Sequence, residues 1–169
     1  RGRRIAGGKV RQVLVEPLPN MEIIKDLVVN MAPFWESYRR IEPWLHTNGD
    51  NPPKEERLQL PAQEKKLDPY INCILCACCY GACPVLGFDE EYLGPAAIAK
   101  LFRFMADSRD QRGLKFLEKV DRRNGVWNCR TIFRCIDACP KDIRPTDTIL
   151  ALKRKLTLYI QERARQRWM

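Results

Sequence analysis

The sequence predicts a mainly α-helical domain built around two clusters of cysteines. Three observations carry that expectation. Eight cysteines fall in two tight groups, at positions 73, 76, 78, 79 and 83 and at positions 129, 135 and 139. Apolar residues recur at helical spacing beside and beyond those groups. Strand-like alternation occurs only near the start. At 169 residues the chain has the length of one domain of about 150, with at most a fragment of a second. Its 45% apolar content is enough for a core and argues against a wholly disordered chain. The uncharged stretch from Ile74 to Phe88 holds four cysteines and a proline, too short and too broken for a bilayer that needs about 20 apolar residues.

The elements follow in order. Val13 and Val15 alternate with Gln12, Leu14 and Glu16, and Pro17 ends this strand-like run. One strand cannot bury itself, so it reads as the tail of a domain whose body lies elsewhere. An apolar run from Ile23 to Val29 leads into a helix expected over Pro33 to Leu45, with Phe34, Trp35, Tyr38, Ile41 and Trp44 at core spacing. Asn48 to Asp68, with Pro52, Pro53 and Pro61, reads as a polar surface connection. Gly94-Pro95 opens a helix, because proline fits the first helical turn. Ile98, Leu101, Phe102 and Met105 give it one buried face. Leu114, Phe116, Leu117 and Val120 suggest another helix, ended by Asn124-Gly125. Arg144-Pro145-Thr146-Asp147 starts a long one with Ile149, Leu152, Leu156 and Ile160 on one side.

Cysteines this closely spaced are poor disulfide partners and natural metal ligands, because one turn aims several sulfurs at one place. The first group reads Cys73-x2-Cys76-x2-Cys79-x3-Cys83-Pro84, the run of two-cluster bacterial-type ferredoxins. The second repeats the spacing with one change: Cys129, Ile132, Cys135, Cys139, Pro140. In such runs the fourth cysteine ligates the other cluster. Cys73, Cys76, Cys79 and Cys139 are therefore expected to hold a [4Fe–4S] cluster. Cys83, Cys129 and Cys135, with Ile132 at the vacant corner, are expected to hold a [3Fe–4S] cluster. Zinc fits poorly, since seven patterned cysteines and the distant His46 do not divide into four-ligand sites. Cys78 lies outside the pattern and reads as a small buried hydrophobe beside the cluster, with a spare ligand or a redox-active thiol as the alternatives. Only His46 and no Gly-rich phosphate loop stand ready for substrate chemistry, so no catalytic residue is assigned and the chain reads as a wire for single electrons.

The sequence resembles the iron–sulfur subunits of succinate dehydrogenase (complex II) and fumarate reductase. The resemblance rests on Glu16-Pro17-Leu18-Pro19, Ile24-Lys25-Asp26-Leu27-Val28-Val29, Asn51-Pro52-Pro53, Cys73-Ile74-Leu75-Cys76-Ala77-Cys78-Cys79, Tyr92-Leu93-Gly94-Pro95-Ala96, Asp107-Ser108-Arg109-Asp110 and Cys139-Pro140-Lys141. It implies an α-helical ferredoxin domain over residues 71–169, a connecting helix and linker over 31–70, and over 1–30 the end of an N-terminal plant-type ferredoxin domain of β-grasp fold. Only a remnant strand of that domain is expected here, with its [2Fe–2S] cluster on a part that this sequence lacks. The implied partners are a flavoprotein subunit carrying FAD, a cytochrome b-type membrane anchor carrying haem b, and quinone. The implied place is peripheral, on the inner face of a bacterial cytoplasmic or mitochondrial inner membrane. The implied quinone-side residues are Pro84 and Ile132, with Phe88 and Arg130 standing where many relatives have Trp and His. Arg keeps its proton, so Arg130 reads either as a donor to a quinone oxygen or as a cation offsetting cluster charge.

A formal charge of +9 concentrates at the ends, in Arg1, Arg3, Arg4, Lys9 and Arg11 and in Lys153, Arg154, Lys155, Arg163, Arg165 and Arg167. This suits acidic lipid head groups, an acidic partner or simply a solvated face. Two rival functions follow. A ferredoxin-like carrier for a heterodisulfide reductase-type enzyme would retain four cysteines in each motif, which Ile132 opposes. A metal-stabilised nucleic-acid module would use the charge, but the aromatics sit at core spacing, so no nucleic-acid partner is expected.

Overall fold

The computed structural model describes residues 2–3, 12–47 and 54–167. Two short strands, β1 (Gly2–Arg3) and β2 (Gln12–Val13), pair antiparallel. The strand expected through Val15 stops at Val13, and Leu14 and Val15 stand exposed. The apolar run that follows makes a hairpin, β3 (Ile23–Lys25) and β4 (Val28–Val29), with Asp26 in the left-handed region at the turn.

Helix α1 spans Ala32–Arg40, shorter than the periodicity suggested. Asn30 Oδ1 accepts the Ala32 N–H at 3.0 Å, and Pro33 occupies the first turn. The helix ends because Pro43 excludes the helical conformation from the residue before it, and Glu42 takes φ +50° instead. Phe34, Ser37 and Ile41 still face the core, but Trp44 falls beyond the helix, 53% exposed and stacked on His46. The linker carries the single turns α2 (Pro61–Glu64) and α3 (Asp68–Ile71). Part of it, residues 48–53, lies outside the described residues.

The body is formed by α5 (Gly94–Ala106), α6 (Lys115–Val120) and α8 (Pro145–Arg167). The single turn α4 (Cys78–Gly81) and a 3-10 turn at Pro84–Gly87 precede α5, and a 3-10 turn at Val126–Asn128 and the single turn α7 (Arg134–Asp137) lie between α6 and α8. The main packing is α5 against α8: Ile98 and Leu101 meet Ile149, Leu152 and Leu156, all at most 1% exposed. Phe104 belongs to this face, while Phe102 and Met105, expected in it, lie at its edge. Helix α6 stops at Val120, before Asn124-Gly125, and the expected core residue Leu114 is exposed. Gly125 is needed all the same, because a Cβ there would lie 2.1 Å from the Val120 carbonyl oxygen. On α8 the expected fourth core residue, Ile160, is 46% exposed, because the helix outruns the body it packs on.

Arg112 ties the segment after α1 to this body. Its buried guanidinium donates to the carbonyls of Glu42 at 2.9 Å and Trp44 at 3.0 Å, pairs with Asp110 at 2.8 Å and lies 3.7 Å from the centre of the Phe116 ring.

Candidate metal centres

The two cysteine motifs fold as one element built twice. Leu75 and Ala77 take φ of +55° and +59° in the first loop, and Thr131 and Phe133 take +58° and +65° at the equivalent places in the second. Left-handed non-glycine residues are uncommon and concentrate where the surrounding structure imposes them. Each loop then enters a single helical turn, α4 or α7, before a Cys-Pro pair, Cys83-Pro84 or Cys139-Pro140. The turns of α4 and α7 pack against one another, which brings both loops to one end of the α5–α8 pair.

The loops line two cavities. Cys73, Cys76, Cys79 and Cys139 line the first, between largely apolar walls. Cys83, Cys129 and Cys135 line the second. The fourth cysteine of each motif thus reaches the other motif's cavity. Ile132 stands where Cys76 stands in the first loop, lines the second cavity and is 51% exposed. Cys78 lines neither cavity. Helices α5 and α8 form the partition. Ala96, Ala99 and Pro145 face the first cavity, and Pro95, Thr146 and Ile149 face the second. The positive ends of both helices therefore point where negative charge would gather.

Polar groups near the sulfurs are few and are donors. The Ile143 N–H donates to Cys139 Sγ at 3.3 Å and the Thr131 N–H to Cys129 Sγ at 3.4 Å. Thr146 Oγ1 stands 2.9 Å from Cys135 Sγ, and the Val85 and Leu86 amides serve Cys83. Burial pushes the thiols of Cys79, Cys83 and Cys135 up, so without a cation they stay protonated. Burial likewise raises the phenol of Tyr92, which lines the second cavity. Among the described residues, no three His, Cys, Asp or Glu side chains converge on one point as a single-ion site would require. Soft sulfur donors ringing a dry cavity, with N–H groups aimed at them, fit a multinuclear iron–sulfur group. Its iron would displace the thiol protons.

The residues expected on the quinone side are divided. Pro84 and Ile132 line the second cavity, whereas Phe88, 82% exposed, lies in a neighbouring groove with Val85, Asp89 and Trp127. Arg130 lines both. Trp127, whose indole N–H donates to Asp121 at 2.8 Å, was not legible in the sequence, because one aromatic in a turn carries no pattern. Lys100 likewise carries no signal in the sequence pattern. It faces the first cavity from α5, one turn after Ala96. His46 lines neither cysteine cavity.

Residues 70–143 match the family of 4Fe-4S dicluster domains. A mitochondrial succinate dehydrogenase [ubiquinone] iron–sulfur subunit 3 of Arabidopsis thaliana is 41% identical over 149 residues, 86% of this chain and 48% of the relative. The succinate dehydrogenase iron–sulfur subunit of Coxiella burnetii is 38% identical over 146 residues, 86% of this chain and 62% of the relative. The chain thus spans about half to three-fifths of the length of these curated relatives. A chain of the Mycobacterium smegmatis Sdh1 complex in the apo form shares the fold, with a TM-score of 0.71 over 83% of this chain and 59% of that one at 24% identity. Its dicluster domain and these relatives make the chain similar, over most of its length, to succinate dehydrogenase iron–sulfur subunits.

Proposed function

We propose that this chain is the electron-transfer part of a succinate:quinone oxidoreductase. It holds a [4Fe–4S] cluster on Cys73, Cys76, Cys79 and Cys139 and a [3Fe–4S] cluster on Cys83, Cys129 and Cys135. The carrying observation is the partition of seven cysteines, four and three, between two cavities that share one helical wall. Such clusters, when bound, carry one electron at a time without bonds being made or broken in the protein. The chain's own residues do the rest. The left-handed loops aim the thiolates, the amides of Thr131 and Ile143 stabilise charge on sulfur, and the apolar walls keep water away.

On this reading electrons arrive from a flavoprotein that oxidises succinate, with FAD on that subunit and a [2Fe–2S] cluster between it and this chain. They leave to quinone at a cytochrome b-type anchor carrying haem b, or run the other way in fumarate reduction. Pro84 and Ile132 cover the second cluster on the quinone side, and the groove of Phe88, Trp127 and Arg130 offers an aromatic wall and a fixed donor to a quinone oxygen. Among the described residues no helix is long and apolar enough to cross a membrane, so the anchor would hold the chain peripherally on the inner face of an energy-transducing membrane.

Electron paramagnetic resonance tests the cluster assignment. The oxidised protein should give a [3Fe–4S] signal, and reduction should bring up a [4Fe–4S] signal. In Ile132→Cys, where the loop already has the backbone of the Cys76 loop, the first signal should give way to a second [4Fe–4S] centre. Zinc alone, or two [4Fe–4S] centres in the unmodified chain, would sink the assignment. Co-purification with a flavoprotein and a membrane anchor tests the partners.

A further inference from the structure

We infer that Lys100 raises the reduction potential of the cluster held in the first cavity, and that it does so as a positioning residue acting through charge. The inference rests on the proposed function, since it presumes a cluster on Cys73, Cys76, Cys79 and Cys139.

Lys100 lies on the same stripe of α5 as Ala96 and Ala99, which form the wall of that cavity, and its side chain lines the cavity with them. Its Nζ stands 3.5 Å from the Tyr70 carbonyl oxygen, which holds the ammonium on the Cys73 side. Burial holds the Lys100 ammonium below the usual lysine range, the Cys73 sulfur opposes that shift, and Arg103 adds to it. No acidic residue lines the cavity to neutralise this charge. The other cation in the lining, Lys141, is exposed, so water and salt screen it, whereas Lys100 is half-buried under α3 and keeps more of its field.

The consequence follows from charge alone. Reduction brings one electron, from a reduced flavin or a chemical reductant, and no proton or bond need move. The reduced state carries one more negative charge, which a fixed cation at the wall favours over the oxidised state. Amphipathic periodicity gives no reason for a lysine at this position, where even a half-buried cation loses solvation that an anionic neighbour would offset. The first cavity supplies that anionic partner only when its cluster is bound.

The experiment is a redox titration followed by electron paramagnetic resonance on the cluster-loaded protein in its assembled complex. Lys100→Gln should change the oxidised-to-reduced ratio of the [4Fe–4S] centre about tenfold at fixed potential, a fall of roughly 59 mV for a one-electron couple. The [3Fe–4S] midpoint should stay in place. Lys100→Met, which keeps the aliphatic stem, should match Lys100→Gln, and Lys100→Arg should stay near the unmodified protein. Lys141→Gln should shift the same centre less, and less still at high salt. An unchanged midpoint in both neutral variants would overturn the inference, as would equal shifts of both centres or an arginine variant that moves as far as the glutamine one. A missing [4Fe–4S] signal in the unmodified protein would overturn the function reading along with it.

Discussion

Thr146 is the residue on which the second centre turns most directly. Its hydroxyl oxygen stands 2.9 Å from Cys135 Sγ, and both are buried. A hydrogen bond to a sulfur ligand favours the state in which that sulfur carries more negative charge, so the bond should hold the potential of the second centre up. Thr146→Val removes the donor with little change of volume. On the proposed cluster assignment, the [3Fe–4S] midpoint should fall by roughly 40 mV if about 1 kcal/mol of the bond is differential between the two redox states, while the [4Fe–4S] midpoint holds. A titration in which neither midpoint moves would show that the hydroxyl serves only the fold. Nothing in the sequence singles Thr146 out for this role. A threonine in the first turn of a helix reads as part of the helix start, and only the packing of α7 against α8 turns it toward Cys135. Lys100 was opaque for a related reason: an amphipathic pattern says which residues are core, and nothing about what a polar residue at the margin faces.

Helices and loops differ in how far their sequence determines them. The core stripe of α8 could be read from Ile149, Leu152 and Leu156, but not its length of contact, because periodicity cannot tell where a helix runs out of partners. That difference is measurable. Leu152→Ala should cost about 2–5 kcal/mol in urea unfolding, since the residue is fully buried against α5. Ile160→Ala should cost within about 0.5 kcal/mol, as at any exposed site. Equal costs would mean that the end of α8 is packed after all. The hairpin of β3 and β4 shows in the sequence only as an apolar approach to α1, because Ile23, Ile24, Leu27 and Val28 show no alternation and all four are exposed. The left-handed residues Leu75, Ala77, Thr131 and Phe133 were equally silent, since none is a glycine. Which cysteines share a cavity nevertheless follows their spacing, because the repeat of the loop is itself a repeat of sequence.

Across the whole molecule, the cavities and the core are continuous, and this decides what losing iron would do. Ala77, Leu75, Cys79, Cys83 and Cys129 belong to or pack on the same cluster of side chains as Ile98, Leu101, Leu152 and Leu156. Yet the α5–α8 seam is closed by hydrocarbon contacts that need no metal, while the two loops are held by short turns and backbone in a region that non-glycine residues avoid. Without iron the raised thiols of Cys79, Cys83 and Cys135 are neutral, and what remains to hold them is weak hydrogen bonding such as that between Cys135 and Thr146. The free energy of cluster binding should therefore appear as order in the loops rather than as helix. Chelation of iron under reducing conditions should leave far-ultraviolet circular dichroism mostly intact. It should lower the melting temperature and abolish hydrogen-exchange protection from Cys73 to Cys83 and from Cys129 to Cys139, while amides of Ile98, Leu101 and Leu152 stay protected. Acid should do the same progressively, because iron must compete with protons for each thiolate. Loops as protected in the iron-free protein as in the loaded one would mean that the chain holds its thiols in place unaided. A general loss of protection would mean instead that the α5–α8 seam itself depends on the metal.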